Sequence, residues 1–537
     1  MDRRTFLGAA FVAITLPTAT VAAFSSAEGA RLGGGAPRAD ESRNDRVSPM
    51  DFGAVGDGKS DDRQAVLAAC SHAFENGLPL DGGDRLYGVG GSTRISGKTR
   101  PYIARLRLRQ LSPGHNVKTL TFDQCEQVRV DSLYVDVGDS PAAGTMNTAF
   151  GFQIDGGSGH RIRNVEATGK GKVSHVRFRL CRDSVFEDIY VHDGLFHDSS
   201  VNPARHGQPA FDVVDDVVQG IHFIQCSNCR LVRPRVRDLL GNGTYLTIAN
   251  EVKPYPNMRS RGIAVSASSN CTISDPDISN VDQGIDVTGS EGHLNLQIVG
   301  GQVRNCASAG VSLKSNVKVG KVLGTIAENC GMYCFYVGGS NYMGHTMDCD
   351  FIACTAVNPG YNDIQNDLDG PPVVPLAHSG FLVYRGKPYP EGIRFLECKA
   401  IDRQGFYLVG DDRPFAPAGA TGATMKEAWT GYTGSYPATF SSGESKMVTL
   451  TNGSATLSWA GGLASDVNKP FVRMPAKMQF GFLNEVPGGA PIGRGPELVD
   501  CESIGHVKAA TYGFEQQAQA AFDYRDSIVP PKVSHTD

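Results

Sequence analysis

A four-residue phrase returns along the middle of this chain and constrains its fold more than any other feature. The phrase is glycine, an apolar residue, any residue and a second apolar residue. Two apolar residues that flank one variable residue have the two-residue period of a β-strand. Its recurrence indicates a series of similar short strands between about residues 151 and 410. The phrase begins at Gly151, Gly220, Gly262, Gly284, Gly310, Gly380 and Gly405.

A second recurring phrase, a polar residue followed by cysteine, comes after most of these strands. Its Asn residues favour turns, and another short alternating run, such as Thr272-Ile273-Ser274, usually follows it. Short strands, regular turns and no helical periodicity predict an all-β fold, a right-handed parallel β-helix whose stacked coils share one core. The phrase stands at Gln225-Cys226, Asn228-Cys229, Asn270-Cys271, Asn305-Cys306, Asn329-Cys330 and Glu397-Cys398.

The chain has 13 cysteines, and their recurrence indicates packing more than pairing. If they occupy one place in the coil, they stack as small apolar residues and stay reduced. Disulfides are the alternative in an exported protein, and Cys330 with Cys334, or Cys349 with Cys354, are the pairs to consider. No second CxxC or matching histidine pair indicates a zinc site.

Bulk properties exclude some classes of function. The chain has 537 residues, which a solenoid accommodates by adding coils. Its formal net charge of −5 argues against a nucleic-acid partner. After the N-terminal segment no stretch is long and apolar enough for a transmembrane anchor, and we expect a monomer or a homotrimer.

The first residues have the pattern of an export signal. Arg3-Arg4-Thr5-Phe6-Leu7 precedes a weakly apolar run, and the small residues Val21-Ala22-Ala23 suit a signal peptidase. We expect a twin-arginine signal peptide over residues 1–23 and a flexible linker over 24–46. An ordinary secretory peptide is the alternative, and either one makes the mature protein periplasmic or secreted.

The stretch from Met50 to Ala65, which reads MDFGAVGDGKSDDRQA, resembles the opening of the pectate-lyase-3 superfamily. That group of β-helix proteins includes polygalacturonase-related enzymes, epimerases and phage tailspikes. The resemblance implies a first strand, a glycine turn and a capping helix over the open end of the solenoid, with Asp57, Asp61 and Asp62 in structural roles. Asp61 or Asp62 is placed to cap the N-terminus of that helix.

These features divide the chain into segments. We expect the first strand and capping helix over 47–100 and the β-helix over 101–410. An inserted loop or small β element follows over 411–475, where Gly, Ala, Thr and Ser break the pattern. A late coil over 476–508 precedes a tail over 509–537, with a short helix around Gln516 to Phe522.

Arginines at alternate positions form one candidate functional feature. Side chains two apart share a face of a strand, so we expect these arginines to line the outside of adjacent coils. The guanidinium group pairs bidentately with carboxylates, which favours an acidic polysaccharide as partner, and a solvated basic face is the alternative. The arginines are Arg161, Arg163, Arg177, Arg179, Arg233, Arg235 and Arg237, joined by Arg259 and Arg261.

A cluster of acids and histidines is the second feature. The loop Ser199 to Pro209 between them is longer than a turn requires, and long loops on solenoids often carry the site. In the repeat phrase Ile221 and Phe223 point inward, so His222 points outward, beside the arginines. The cluster comprises His192, Asp193, His197, Asp198, His206, Asp212, Asp215, Asp216 and His222.

Two mechanisms would use these residues on a uronate polymer. In β-elimination a calcium ion or an arginine neutralises the substrate carboxylate while a base removes the α proton. Asp212, Asp215 and Asp216 would then hold the calcium ion or handle the carboxylate, and Arg235, Arg179 or His222 would be the base. Hydrolysis needs two carboxylates, one as acid and one as base.

Inverting hydrolysis of the polygalacturonase type has a partial counterpart in this chain. Asp193, then Asp215-Asp216, then Arg259-Ser260-Arg261 are similar in order to that family's pattern. The family's Gly-His-Gly is Gly241-Asn242-Gly243 here, and its Arg-x-Lys is Arg-Ser-Arg.

The sequence therefore predicts an exported enzyme that cleaves an acidic polysaccharide, with a lyase slightly favoured over a hydrolase. A non-catalytic glycan-binding or tailspike-like surface protein on the same fold is a further alternative. The predicted catalytic residues are Asp193, Asp212, Asp215, Asp216, His222 and Arg235. If they are not required, Asp286 and Tyr407 are the next outward-facing candidates.

Overall fold

The computed structural model describes most of the chain after Asn44. The predicted export signal and linker therefore lie outside the described residues and stay predictions. The described ranges are 45–112, 117–139, 150–170, 174–195, 218–240, 243–247, 252–255, 260–289, 292–314, 316–338, 346–359, 364–367, 379–384, 390–401, 406–409, 416–429, 434–440, 444–451, 454–465, 471–474, 480–485, 496–504, 508–512 and 523–524.

One α-helix, a short 3-10 helix and a long series of strands make up the described chain. The 3-10 helix is Pro49–Phe52 and α1 is Arg63–Glu75. The first strands are β1 Asp57–Asp61, β2 Leu80–Asp81, β3 Leu86–Val89, β4 Arg94–Ser96, β5 Tyr102–Gln110, β6 Lys118–Asp123, β7 Arg129–Val130, β8 Leu133–Asp139, β9 Phe150–Asp155, β10 Arg161–Lys170, β11 Ser174–Arg179, β12 Val185–Leu195, β13 Val218–Ile224, β14 Arg230–Val232 and β15 Arg235–Leu240. The next are β16 Gly243–Thr247, β17 Val252–Tyr255, β18 Ser260–Ser266, β19 Thr272–Ser274, β20 Asp277–Val281, β21 Gln283–Val287, β22 His293–Leu294, β23 Gln297–Val299, β24 Gln302–Cys306, β25 Ala309–Lys314, β26 Val317–Lys318, β27 Lys321–Leu323, β28 Ile326–Glu328, β29 Tyr333–Gly338, β30 Asp350–Ile352 and β31 Thr355–Val357. The last are β32 Ile364–Asp367, β33 Ser379–Tyr384, β34 Arg394–Leu396, β35 Lys399–Ile401, β36 Phe406–Val409, β37 Gly422–Trp429, β38 Gly434–Phe440, β39 Ser445–Leu450, β40 Ser454–Trp459, β41 Phe471–Met474, β42 Phe480–Glu485, β43 Glu497–Val499, β44 Glu502–Ile504, β45 Lys508–Tyr512 and β46 Asp523–Tyr524.

Two long parallel sheets are the walls of the solenoid. Sheet A has 23 strands and sheet B has 12, in the order β4-β6-β9-β11-β13-β18-β21-β25-β29-β33-β42-β45. Each sheet-B strand pairs in parallel with the strand one coil later, as β11 does with β13. The predicted right-handed parallel β-helix is therefore confirmed.

Alternation within the strands places one apolar set inside. Phe122, Phe152 and Phe178 are fully buried and contact one another edge to face, with centroids 6.2 to 6.3 Å apart. Further along, Phe335, Phe381 and Phe482 stack with centroids 4.7 Å apart. Equivalent positions of successive coils thus form continuous aromatic columns, which no single coil could bury alone.

The recurring glycine lies where two coils approach most closely. A Cβ on Gly220, Gly262 or Gly310 would lie 2.6 to 2.7 Å from a carbonyl oxygen of the next coil. It would also meet core side chains of sheet A, since the Gly262 position faces Ile278 at 2.6 Å. The glycine of the repeat phrase is therefore required by close packing at an inner corner of the coil.

A ladder of asparagine side chains fixes one turn of successive coils. Asn280, Asn305, Asn329 and Asn358 all have left-handed backbones, with φ between 47° and 55°. Each of the last three donates its amide to the preceding member, at 3.3, 3.2 and 3.1 Å. Asn tolerates this conformation better than most residues, which explains its recurrence at the turn.

The N-terminal cap depends on the two neighbouring aspartates. Asp61 Oδ1 accepts hydrogen bonds from the backbone N–H groups of Arg63, at 3.1 Å, and Gly90. Asp62, the residue before α1, instead binds the N–H groups of Val55 and Gly56, at 2.6 and 3.0 Å. Both carboxylates thus connect the start of α1 to the turns around it.

Smaller antiparallel sheets complete the described chain. Strands β36 to β41, from Phe406 to Met474, form a six-stranded sheet in the region where the sequence predicts an inserted loop or small β element. β16, β17 and β32 form a three-stranded sheet. The predicted helix around Gln516 to Phe522 lies outside the described residues. No helix in the described ranges is long and apolar enough to cross a membrane.

All 13 cysteines are free and buried, including the two pairs considered for disulfides. The expectation that they share one coil position is wrong, because Cys226 and Cys229 lie in the same turn and belong to different stacks. In the register of successive coils Cys226 stacks on Cys181, and Cys271 stacks on Cys229. More than one corner of the coil therefore takes a small side chain. A cysteine there also brings its thiol to a carbonyl of the preceding coil, as Cys226 does with Phe178 O at 3.3 Å.

We expect most of the cysteines to be titrated as free thiols by a thiol reagent in denaturant without reductant. In the native state they should react slowly, because burial raises the pKa of the Cys70 and Cys349 thiols to about 12. Finding nearly all of them in disulfides would contradict the stacked arrangement.

Candidate functional site

The variable residue of the repeat phrase, with the equivalent residues of the strands that lack the glycine, forms a row along the outside of sheet B, here called the central row. Arg177 pairs with His222, His222 with Ala264, Ala264 with Asp286, Asp286 with Ser312 and Ser312 with Tyr336. Gln153 precedes Arg177. Adjacent strands are about 4.8 Å apart, so the row from Gln153 to Tyr336 extends over roughly 29 Å.

Several side chains of the central row are buried although they point away from the core. Gln153 is 1% exposed, and Asp286 and Ser312 are 0% exposed. Gln153 Oε1 and Ser312 Oγ have no hydrogen-bond partner among the described residues. Buried polar atoms without partners are uncommon, so each of these two atoms needs a partner such as a water molecule, an ion or a polar ligand.

Asp286, the fifth of the seven residues in this row, lies between two cations. Its carboxylate oxygens are 3.0 Å from Arg261 Nε and 3.2 Å from Lys314 Nζ, and only 1% of the side chain is exposed. Burial alone would raise the pKa of Asp286, but Lys314 and Arg261 outweigh it and hold the pKa below its usual value. Asp286 is therefore a buried, ionised group that orients both cations.

Lys314 connects Asp286 to an aromatic surface. Its ammonium donates a hydrogen bond to Gln283 Oε1 at 3.0 Å and lies 5.7 Å from the ring centroid of Tyr336. The Tyr336 ring extends over Gly338, where a Cβ would collide with the tyrosine hydroxyl. Tyr333 lies beside it, with centroids 5.7 Å apart. Arg261, Asp286, Lys314 and Tyr336 thus form one continuous group.

His222 lies on β13, two strands before Asp286. Its Nε2 is 3.4 Å from the hydroxyl of Ser266, and part of its surface remains exposed. Burial of the ring, together with Arg177 and Arg261, holds the pKa of His222 well below its usual value. The imidazole is therefore neutral at physiological pH and can accept a proton.

The outside of sheet B is positive over these coils. Strands β11, β13, β18, β21, β25 and β29 carry four cations, Arg177, Arg179, Arg261 and Lys314, and a single carboxylate, Asp286. Arg179 is neutralised by Asp155 of β9, at 3.0 Å. The excess of two positive charges contrasts with the formal −5 of the whole chain and favours an anionic ligand.

The structure divides the predicted arginine set between two sheets. Arg177, Arg179 and Arg261 lie in sheet B, whereas Arg161, Arg163, Arg235 and Arg237 lie in sheet A, with Arg233 in the turn before β15. The expectation of a single arginine face is therefore wrong. Alternation predicts which side of a strand a residue occupies, but it does not predict which wall of the coil the strand belongs to.

Most arginines of sheet A and its turns are held by local carboxylates or rings. Arg233 makes two hydrogen bonds to Asp188, both at 2.9 Å. Arg237 donates to Asp277 at 2.5 Å. Arg235 lies over the ring of Tyr190, 4.8 Å from its centroid. These contacts belong to a surface network and do not converge on His222.

The predicted catalytic residues are likewise separated. Asp193 lies on β12 in sheet A, 71% exposed, with its carboxylate 2.7 Å from Nδ1 of His192. His222 lies in sheet B, so the structure does not bring Asp193 or Arg235 to it. It also places Asp193 and Arg261 in different sheets, which removes the polygalacturonase-like grouping. Asp212, Asp215, Asp216 and Arg259 lie outside the described residues, as does the side chain of Tyr407.

The sequence indicates Asp286 only as a second choice and does not indicate Lys314 or Tyr336 as site residues. Asp286 and Tyr336 share one signal, because each is the variable residue between two apolar ones, on the sheet-B strands β21 and β29. The residues at that position in successive coils together make up the central row.

Comparisons with known proteins find only distant similarity. No family model matches the sequence, and no curated protein matches it. The A-modules of the Azotobacter vinelandii mannuronan C-5 epimerases AlgE6 and AlgE4 have TM-scores of 0.42 and 0.40, with 13% and 12% identity. They cover 90% and 87% of this chain and 98% of their own. The Dettilon tailspike protein has a TM-score of 0.32 and 14% identity, over 80% of this chain and 94% of that one. Similarity at this level carries no argument about activity, so the function has to be argued from the site.

We expect the ion pairs of Asp286 to be required for stability. Replacing both Arg261 and Lys314 by methionine leaves a buried carboxylate without compensation and should lower the free energy of unfolding by about 3–5 kcal/mol. Adding Asp286→Asn to that double variant should restore most of the loss. Urea denaturation would measure both, and an equal loss in the double and triple variants would contradict the buried pairing.

Proposed function

We propose that the chain is an exported enzyme of the pectate-lyase-3 type that cleaves a uronate-containing polysaccharide by β-elimination. The observation that carries the proposal is a neutral histidine between two arginines on a positive, partly buried row outside sheet B. A uronate residue presents a carboxylate beside a weakly acidic C–H group, and this row offers a partner for each.

Arg177 and Arg261 are the groups proposed to bind the substrate carboxylate. Both lie close enough to His222 to lower the pKa of its imidazole. Arg177 is directly opposite His222 in the strand register, so a carboxylate that pairs with its guanidinium is placed beside the same ring. Charge-assisted hydrogen bonds from arginine neutralise the carboxylate and stabilise the negative charge that develops when the α proton leaves.

The elimination step then needs one base and one proton donor. The α C–H bond breaks and its proton moves to a ring nitrogen of His222, while the electron pair forms the new C=C bond. The C–O bond to the leaving sugar breaks, and the leaving oxygen takes up a proton. In a syn elimination the imidazolium formed in the first half can return that proton, so a single histidine serves both halves.

Ala264 separates the proposed base from the buried ion pairs in this scheme. It lies in the central row between His222 and Asp286, which are two strands, or about 9.6 Å, apart. Asp286 is a positioning residue that holds Arg261 and Lys314. Tyr333 and Tyr336 extend the row with aromatic faces on which a further sugar can lie.

Hydrolysis is the second candidate, and the described site favours it less. Both classes of glycosidase need two carboxylates about 5 to 9.5 Å apart. Asp286 is the single carboxylate on the sheet-B strands from β11 to β29, and both of its oxygens face cations. A non-catalytic glycan-binding protein would use the same positive row without need of a neutral histidine.

Calcium and export remain proposals. Among the described residues no group of three or more histidine, cysteine or acidic side chains is arranged to hold a metal ion. Asp286 does not fit calcium, because Arg261 and Lys314 already occupy the places around its oxygens. Asp212, Asp215 and Asp216 stay the proposed calcium ligands, and the arginine pair of the N-terminal segment supports a periplasmic or secreted location.

Incubation with a panel of uronate polysaccharides tests the proposed reaction. The absorbance of unsaturated uronates and the number of reducing ends are followed in parallel. New ends with the chromophore are expected for elimination. New ends without it would indicate a hydrolase, and binding without new ends would indicate a glycan-binding protein.

We expect His222→Ala to lower kcat by about 10² to 10⁴, the usual contribution of a general acid or base. His192→Ala is the matched control, because that histidine lies in sheet A and should leave kcat within about twofold. Circular dichroism would show that both variants fold. Equal rates for the His222 variant and the control would place the reaction elsewhere on the solenoid.

The pH profile should show that His222 stays neutral in mildly acidic solution. A base works while it is deprotonated, so kcat/KM should fall only as the pH drops through the lowered pKa of the folded protein, well below the ordinary value of about 6.5. Arg177→Gln removes one cause of the lowered pKa and should move the acid limb to higher pH. An acid limb at about 6.5 that Arg177→Gln leaves unmoved would contradict this assignment.

A further inference from the structure

A groove in sheet A lies away from the central row and is lined by arginines. Its volume is about 430 Å³, within the range of sites that hold small ligands or single units of a polymer. Its walls come from β7, β10 and β12 and the turn after β7, so it belongs to the early coils. The lining residues are Arg129, Asp131, Arg161, Ile162, Arg163, Val185 and Glu187.

Two of the three arginines are fixed by one carboxylate. Asp131 accepts hydrogen bonds from Arg129, at 2.9 Å, Arg163, at 3.0 Å, and the hydroxyl of Tyr102, at 2.7 Å. Arg129 also lies over the Tyr102 ring, 4.3 Å from its centroid. Partial burial acts to raise the pKa of Asp131, but these donors lower it to about 2, so the arrangement persists at any working pH. The groove is thus organised before any ligand binds.

The third arginine has no such partner. The guanidinium of Arg161 makes no hydrogen bond or ion pair with any described residue, and it is exposed. In the strand register Arg161 is directly opposite Arg129, and like charges in that position are unfavourable. The groove is lined by three arginines and two acidic residues, Asp131 and Glu187, so its lining has one excess positive charge. A bound anion would relieve the repulsion between Arg129 and Arg161.

We infer that this groove is a second binding site for a carboxylate-bearing segment of the polysaccharide, separate from the site on sheet B. The inference rests on the proposed function in one respect, which is the chemical class of the ligand. The coils of β10 and β12 precede that of His222 on β13 by one to two coils, roughly 5–10 Å along the solenoid, so the two sites lie on different walls at nearly the same level. One long polymer that engages both sites gains affinity from the second contact, whereas a short oligomer does not.

Binding of labelled polymer tests the groove directly. Fluorescence anisotropy is measured with labelled sodium polygalacturonate and sodium alginate on the full chain, in a His222→Ala background so that the probe is not consumed. Arg161→Glu should weaken binding of the polymer that binds best by about three- to tenfold, and added salt should reduce the difference. Arg161→Gln should give a smaller loss in the same direction.

Lys318→Glu is the matched control. Lys318 is exposed on β26, several coils away, and its replacement changes the net charge by the same amount. The control should bind within about twofold of its parent. Equal affinities for Arg161→Glu and Lys318→Glu, or no binding of either polymer by the parent, would overturn the inference. Failure of the proposed elimination would instead appear as absence of the chromophore with these affinities unchanged.

Discussion

The close approach of successive coils at the repeat glycine is the constraint on which the rest of the structure depends. At Gly262 and Gly310 the backbone of one coil lies so near the carbonyl of the next that no side chain fits. That approach keeps the sheet-B strands in direct register, one coil upon another. Because the register is maintained, a residue of one kind at one place in the repeat becomes a row, and the aromatic core, the asparagine ladder and the central row all follow from it.

In the central row this regular register brings together charged side chains that could not be buried in the apolar core. Asp286 is buried and ionised, and its stability depends on Arg261 and Lys314 from the strands on either side. Burial, together with Arg177 and Arg261, lowers the pKa of His222 and keeps the ring neutral, and Lys314 adds to the positive charge of the surface. The same residues therefore serve stability and the proposed chemistry. Asp286 is costly to bury, and it also orients Arg261 and Lys314, the cations that face the ligand.

The sequence was sufficient for the fold because the fold is a repeat. The phrase at Gly262, Gly284 and Gly310 predicts strand, face and stacking, and α1 follows from the motif before it. The site was only partly predictable. Alternation predicts the outward face of His222 correctly. It does not predict the sheet to which a strand belongs, and Arg177 and Arg235, expected on one surface, lie in different sheets. Lys314 was missed because its role depends on Asp286, a partner one strand away in space and 28 residues away in sequence.

The location of a bound substrate tests the central claim most directly. A crystal structure of the His222→Ala variant with a short oligouronate would show where a sugar carboxylate binds when turnover is blocked. We expect the carboxylate between Arg177 and Arg261, with a sugar ring beside residue 222 of the central row. An oligouronate bound only on sheet A or on the antiparallel sheet of Phe406 to Met474, with the central row empty, would contradict it.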